Sequence, residues 1–208
     1  MTTLARLMTP LISLTLAGIA CAADTVDVTV TGRITPDACL IALSDDGAVD
    51  HGRIPSHTLA QDAFTVLPSR FLELNIQCAR PMLFALAGID NRATSSLDPN
   101  MSYGLGSNPH APEERLGAIT LSYHSAVGDT QPMQVLVSAD AGETWAPDAN
   151  AYPRRYMGFA LPGDRQPDYL GQLNAQLRID TSVNFARDLT LDQEVPLDGS
   201  IVLDLRYL

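Results

Sequence analysis

A two-residue hydrophobic period runs through this sequence from one end to the other, and the 3.6-residue period of an amphipathic helix is nearly absent. In residues 24–34 the even positions from Val26 are apolar or glycine (Val26, Val28, Val30, Gly32, Ile34), while Thr25, Asp27, Thr29, Thr31 and Arg33 are polar. Successive side chains of a strand point to opposite faces, so this pattern specifies a half-buried β-strand. The same alternation returns at Cys39–Leu43, at Arg70–Gln77, at Ile119–Tyr123, at Met133–Val137 and over Leu173–Ile179. It closes the chain in Ile201, Leu203, Leu205 and Tyr207, with Val202, Asp204 and Arg206 on the other face. Met82–Gly88 is a continuous apolar run, the pattern of a strand buried on both faces.

Turn-forming clusters separate these runs: SDDGAVDHG at 44–52, GSNPHAPEE at 106–114, DAGE at 140–143 and PGDRQPD at 162–168. Strands with such punctuation predict an all-β, antiparallel sandwich rather than βαβ units. Residues 90–114 are polar and rich in Pro and Gly, and are expected to form a long surface loop. The segment Tyr169–Leu173 is expected to be at most a turn.

The first 22 residues, MTTLARLMTPLISLTLAGIACA, have an early arginine, an apolar stretch over Leu11–Ile19 and small residues at Ala20 and Ala22. This is the pattern of a secretory signal peptide cleaved after Ala22. The apolar run is too short for a span of about 20 residues, and no direct membrane insertion of the mature chain is expected. A lipid anchor through Cys21 fits less well, because Gly18 stands where such signals usually carry leucine.

Residues 23–208 suffice for one domain with a sizeable core. The chain carries 24 acidic residues against 13 basic ones, a net charge of −11, and every basic residue is arginine. An acidic surface is a poor partner for nucleic acid or anionic lipid. The absence of lysine removes the P-loop and Schiff-base chemistries. With Cys21 gone, Cys39 and Cys78 remain. An even pair in an exported chain reads as a disulfide, closing a loop of about 40 residues and contributing roughly 3–4 kcal/mol. Neither cysteine has a C-x-x-C partner or a histidine at metal-ligand spacing.

Catalytic and cofactor patterns are thin. His51, His57, His110 and His124 read as surface histidines. Asp45, Asp46 and Asp50 lack the spacing of a calcium loop, and there is no G-x-S-x-G elbow. With 24 acids, a pair of carboxylates suited to glycoside hydrolysis could always be nominated, so that signal carries no information. Trp145, Tyr152, Tyr156 and Phe159 read better as core aromatics than as a sugar-binding group. The expectation is a non-enzymatic chain with no cofactor.

The two ends carry the remaining signal. An alternating extension precedes the first mature cysteine, with Gly32 seven residues before Cys39 in V-x-V-x-V-x-G-x-I-x-P-D-A-C. The second cysteine closes a strand in LELNIQC, and the last strand has Tyr207 in the penultimate position. In this order the features resemble subunits of chaperone–usher fimbriae (pili), over most of the mature length. The resemblance implies an incomplete immunoglobulin-like antiparallel β-sandwich, completed by a donor strand from another subunit. Residues 23–35 are then the donor-strand extension and 36–208 the pilin-like domain. Val26, Val28, Val30 and Ile34 are the side chains that enter a neighbour's groove, and Gly32 occupies its tightest point. Cys39 and Cys78 staple the first strand, and Ile201, Leu203, Leu205 and Tyr207 form the strand that a periplasmic chaperone recognises. The implied partners are neighbouring subunits, the chaperone and an outer-membrane usher, and the implied destination is a surface fimbrium that contributes to adhesion. The competing expectation is a self-contained secreted β-sandwich that binds a carbohydrate or a host protein.

Overall fold

The computed structural model describes residues 28–33 and 38–208. The chain divides after Thr35, with Met1–Thr35 and Pro36–Leu208 as separate units. The signal peptide expected over residues 1–22, and the positions Val26 and Ile34, lie outside the described residues.

In the larger unit, nine strands of five or more residues carry the architecture. They are β1 (Cys39–Leu43), β2 (Arg70–Met82), β3 (Phe84–Asp90), β4 (Ala111–Arg115), β5 (Gly117–Gly128), β6 (Gln134–Ser138), β7 (Tyr156–Ala160), β8 (Leu170–Val183) and β9 (Ile201–Tyr207). Among the described residues the only helical elements are four short 3-10 turns. One sheet runs β1–β2–β8–β5 and ends on the two residues Asn150–Ala151, while the other begins on Ala146–Pro147 and runs β6–β7–β3–β9. All the strand pairings are antiparallel.

The inward faces follow from the alternation. Leu72, Leu74, Ile76 and Cys78 of β2 are buried, whereas Phe71, Glu73, Asn75 and Gln77 face outward. On β8 the inward set is Leu173, Ala175, Leu177, Ile179, Thr181 and Val183. From the second sheet, Phe84 and Leu86 of β3 and Met157 and Phe159 of β7 complete one shared core. The rings of Tyr123 and Phe159 meet edge-on at 5.6 Å across that core.

Three expectations need correction. First, β5 is longer than its alternation suggested. Ile119, Leu121 and Tyr123 face inward, but after Ser125 the inward positions become Ala126 and Gly128. Ser125 has φ +49°, and the pairing with β8 skips a residue between Asn174 and Gln176. This irregularity switches which side chains point inward, so a two-residue period stops there although the strand continues. Similarly, Leu170 already belongs to β8, and no turn spans Tyr169–Leu173.

Second, residues 90–114 are not simply a surface loop. Tyr103, Leu105 and Asn108 are buried, and Tyr103–Gly104 pairs with β5. The Asp90 carboxylate accepts the amides of Arg92 and Gly104 at 2.8 Å each. Asn108 donates to Glu114 and to the carbonyl of Thr190, both at 2.9 Å. Side-chain-to-backbone bonds hold this segment, and such bonds leave no periodic trace. The Tyr103 ring lies over Gly88, where a Cβ would come within 2.0 Å of the phenol oxygen.

Third, only Phe159 of the four aromatics belongs to the core. Trp145, Tyr152 and Tyr156 are half-buried. Trp145 donates its ring N–H to the Gly142 carbonyl at 3.0 Å.

Cys39 and Cys78 are directly opposite in the β1–β2 register and form a disulfide. Among the described strands β1 pairs only with β2, so the disulfide anchors a five-residue edge strand to its single neighbour in the sheet. Replacing both cysteines by serine is expected to lower unfolding stability by about 3–4 kcal/mol, read as a shift in urea midpoint at unchanged slope. A loss below about 1 kcal/mol would show that strand pairing alone holds β1.

Candidate functional site: an apolar groove beside the last strand

β9 is paired on one side only. Its register with β3 runs from Ile201 opposite Asp90 to Tyr207 opposite Phe84, and no other described strand pairs with it. Its inward side chains are aliphatic, yet Ile201, Leu203 and Leu205 are only half-buried, whereas Phe84, Ala85 and Leu86 of neighbouring β3 are 2% exposed or less. Full burial of an aliphatic side chain is worth about 1.5–3 kcal/mol, and these three realise only part of it.

The uncovered surface forms a groove. Its narrower part, about 190 Å³, has a floor of Leu72, Leu177 and Ile179 from the opposite sheet. Leu43 and Val49 flank one side, and Leu197, Ile201 and Leu203 flank the other. Val49, His51 and Leu197 continue into a wider part of about 620 Å³, bordered by residues 49–56 and 193–197. Both borders of this wider part are non-strand segments. Beyond the end of β9 that carries Tyr207, the Cys39 amide donates to the Tyr207 hydroxyl at 2.8 Å and links the first and last strands.

One polar pair interrupts the apolar lining. His51 Nε2 lies 3.0 Å from Thr181 Oγ1, and Thr181 is only 2% exposed. His51 Nδ1 is buried and has no hydrogen-bond partner among the described residues. Burial pushes the imidazole below its ordinary pKa; the charge of Arg70 adds to this, and that of Asp50 opposes it. His51 is therefore not a surface histidine, unlike exposed His57, His110 and His124.

Other expected site residues are placed as follows. Residues 28–33 form no strand, and Val28 and Val30 are 85% and 91% exposed. A Cβ on Gly32 would meet nothing within 4 Å. Ile201, Leu203 and Leu205 share one face of β9, with Tyr207 half-exposed at its end. Sequence reasoning missed Leu43, Val49, His51, Thr181, Leu197 and the half-buried Leu191 and Val195. For the residues in non-strand segments no periodic signal existed. Among the described residues no cluster of three or more His, Cys, Asp or Glu side chains could hold a metal ion.

Comparison with known proteins gives relatives of similar length. Residues 28–107 match a family of proteins of unknown function (DUF1120). That stretch includes the described part of the extension, both cysteines of the disulfide and the groove border from Leu43 to Ser56. The chain is 26% identical to Protein GltF of Escherichia coli K12 over 235 aligned positions, covering 91% of each chain. It is 25% identical to the uncharacterized protein YhcF of the same organism over 221 positions, covering 90% of this chain and 92% of that one.

An open groove makes a differential prediction. Leu86→Ala, in the fully buried β3 position, is expected to cost about 2–5 kcal/mol. Leu203→Ala on β9 is expected to cost roughly 1 kcal/mol, because much of its surface is already in water. Equal losses in chemical denaturation would show that β9 is covered in solution.

Proposed function

We propose that this chain is a structural subunit of a fimbria-like fibre, assembled by insertion of one subunit's N-terminal extension beside β9 of the next. The observation that carries the reading is a seven-residue strand with an aliphatic inner face and, among the described residues, one unpaired edge, next to an apolar groove. A strand added there gains main-chain hydrogen bonds along β9 and sets every second side chain onto the groove floor, which is recognition by β-strand addition.

The extension has the matching pattern. In an extended strand, the alternation of the sequence would put Val26, Val28, Val30 and Ile34 on one face, with Gly32 between the last two, and the described Val28 and Val30 are exposed. Burying four aliphatic side chains yields roughly 6–12 kcal/mol gross. Each main-chain hydrogen bond adds about 0.5–1.5 kcal/mol net. Ordering the extension and joining two molecules consume a share of that gain, and the remainder is of the size that a stable assembly requires. The contact joins two different surfaces of the same chain, so it propagates head to tail without closing, and fibres are its natural product.

On this reading the two sheets are an immunoglobulin-like sandwich lacking its final strand, and the inserted strand completes it. The exposed apolar groove calls for temporary cover before assembly, which assigns a periplasmic chaperone to β9 and an outer-membrane usher to the exchange. The Cys39–Cys78 disulfide fits passage through an oxidising compartment, and the cell surface is the destination. The chain's contribution is to link subunits and so to support adhesion, with no catalytic step of its own.

The test removes residues 23–35 from the mature chain and returns them as a peptide. The truncated protein is expected to be poorly stable alone and to gain a large increase in Tm with the peptide. Val28→Asp or Val30→Asp is expected to block fibre formation while the chaperone-bound subunit stays folded, because a carboxylate cannot enter the apolar groove unpaired. A truncated chain that is stable and indifferent to the peptide overturns the proposal, as do normal fibres from the aspartate variants.

A further inference from the structure

His51 is the one titratable side chain lining the narrower part of the groove among the described residues, and its only polar neighbour in that lining is Thr181. The ring is placed so that it accommodates a proton poorly. A neutral imidazole has one N–H donor and one acceptor nitrogen; with Nε2–H donating to the Thr181 hydroxyl, only the weaker acceptor Nδ1 is left unpaired. The imidazolium donates from both nitrogens, and Nδ1 is buried with no acceptor in reach.

The charged groups around the ring do not offer one. Asp50, the preceding residue, accepts the Gly52 amide at 2.7 Å and is not bonded to Nδ1; its charge favours protonation, but burial and Arg70 outweigh it. Asp180, next to Thr181 on β8, is paired with Arg178 at 2.9 Å. Arg70 at the start of β2 acts against protonation. Arg53 and Glu194 line the wider part of the groove. In the open groove the His51 residue is only half-buried, and that remaining exposure lowers the cost of an imidazolium. A strand laid along β9 removes the exposure and covers the ring with aliphatic side chains.

We propose that the His51–Thr181 pair makes occupation of the groove depend on pH, so that an apolar β-strand binds tightly to neutral His51 and loosens when His51 is protonated. The inference rests on the strand-addition reading above and adds to it a specificity-determining group at the groove floor. The sign follows from linkage. Covering the ring disfavours the charged form, so the proton affinity of His51 is lower in the occupied groove than in the open one. Strand affinity is then constant at pH values where open-groove His51 is already neutral. It falls as pH drops through the titration of the open groove, with a limit of tenfold per pH unit.

The experiment measures binding of a fluorescent peptide of residues 23–35 to the full chain at pH 7.5 and pH 5.0. Affinity is expected to be about threefold or more weaker at the lower pH. His51→Gln keeps a hydrogen-bonding group toward Thr181 but does not titrate, so its affinity is expected to be the same at both pH values. A parallel measurement needs no variant: the NMR titration midpoint of the His51 ring is expected to move to lower pH when peptide is added.

Wild-type binding that is indifferent to pH overturns the proposal, and so does binding that strengthens in acid, which would mean that the strand brings its own acceptor to Nδ1. An equal pH response in His51→Gln also overturns it, by assigning the effect to His57, His110, His124 or the peptide's aspartates. No binding at either pH removes the strand-addition reading together with this one, whereas pH-independent binding removes only this one.

Discussion

The unpaired edge of β9 is the constraint on which the rest of the arrangement turns. Every interior strand of a sheet satisfies its backbone from both sides and buries its inward side chains beneath its neighbours. β9 has β3 on one side and none of the described strands on the other, so both gains stop halfway across it. The half-buried Ile201 and Leu203 and the apolar floor beneath them go with that unpaired edge, and the non-strand segments 49–56 and 193–197 border the wider part of the groove. The Cys39–Cys78 disulfide and the bond from the Cys39 amide to Tyr207 act at the same place from the opposite side. They tie β1, the edge strand of the other sheet, to β2 and to the end of β9. A preformed groove binds a strand more tightly than one that must first be organised, because less ordering is left to the moment of binding.

How legible this was in the sequence depended on what held each segment. Where packing on one face decides the conformation, the two-residue period exposed it: β1, β9 and the central part of β8 stand where the alternation of Cys39–Leu43, Ile201–Tyr207 and Leu173–Ile179 put them. The period failed at Ser125, where a left-handed residue reverses the inward positions, and over 90–114, where Asp90 and Asn108 bind main-chain groups. It also failed along the wider part of the groove. Val49, Leu191, Val195 and Leu197 occupy segments without regular structure, so their shared environment is visible only once the chain is folded. The aliphatic face of β9 was readable, but the space beside it was not, since an edge strand and a central strand can carry the same alternation.

His51 shows the same limit in another form. A histidine among Asp, Gly and Arg in a turn-rich stretch reads as a surface residue. Its position is set by Thr181, 130 residues away, which reads as an ordinary polar residue just beyond the Leu173–Ile179 alternation. Neither residue signals the other, because the pair is made by tertiary folding and not by any local pattern. A polar pair facing an apolar cleft contributes little to a stable core, and its hydrogen bond only limits the cost of its burial. On the strand-addition reading, the pair acts on what enters the groove more than on the stability of the fold.

The edges of the two sheets differ in a way that bears on the groove. At their far ends the sheets stop on Ala146–Pro147 and Asn150–Ala151, two-residue strands with Pro147 and Pro153 in or near them. Short edges with proline resist further pairing, because proline has no N–H to offer and two residues give little to pair with. At the near ends stand β1, CLIAL, with no charge and no proline, and β9, IVLDLRY, with its only charges on the outward face. If the open edge were a by-product of a small fold, it would be expected to carry the same protection as the other end. The chain instead blunts one end of its sheets and, among the described residues, leaves at the other five- and seven-residue strands with apolar inner faces and one unpaired edge each. Aggregation is the physical penalty of such an edge, and on the strand-addition reading a strand that fills it would turn that liability into a binding site.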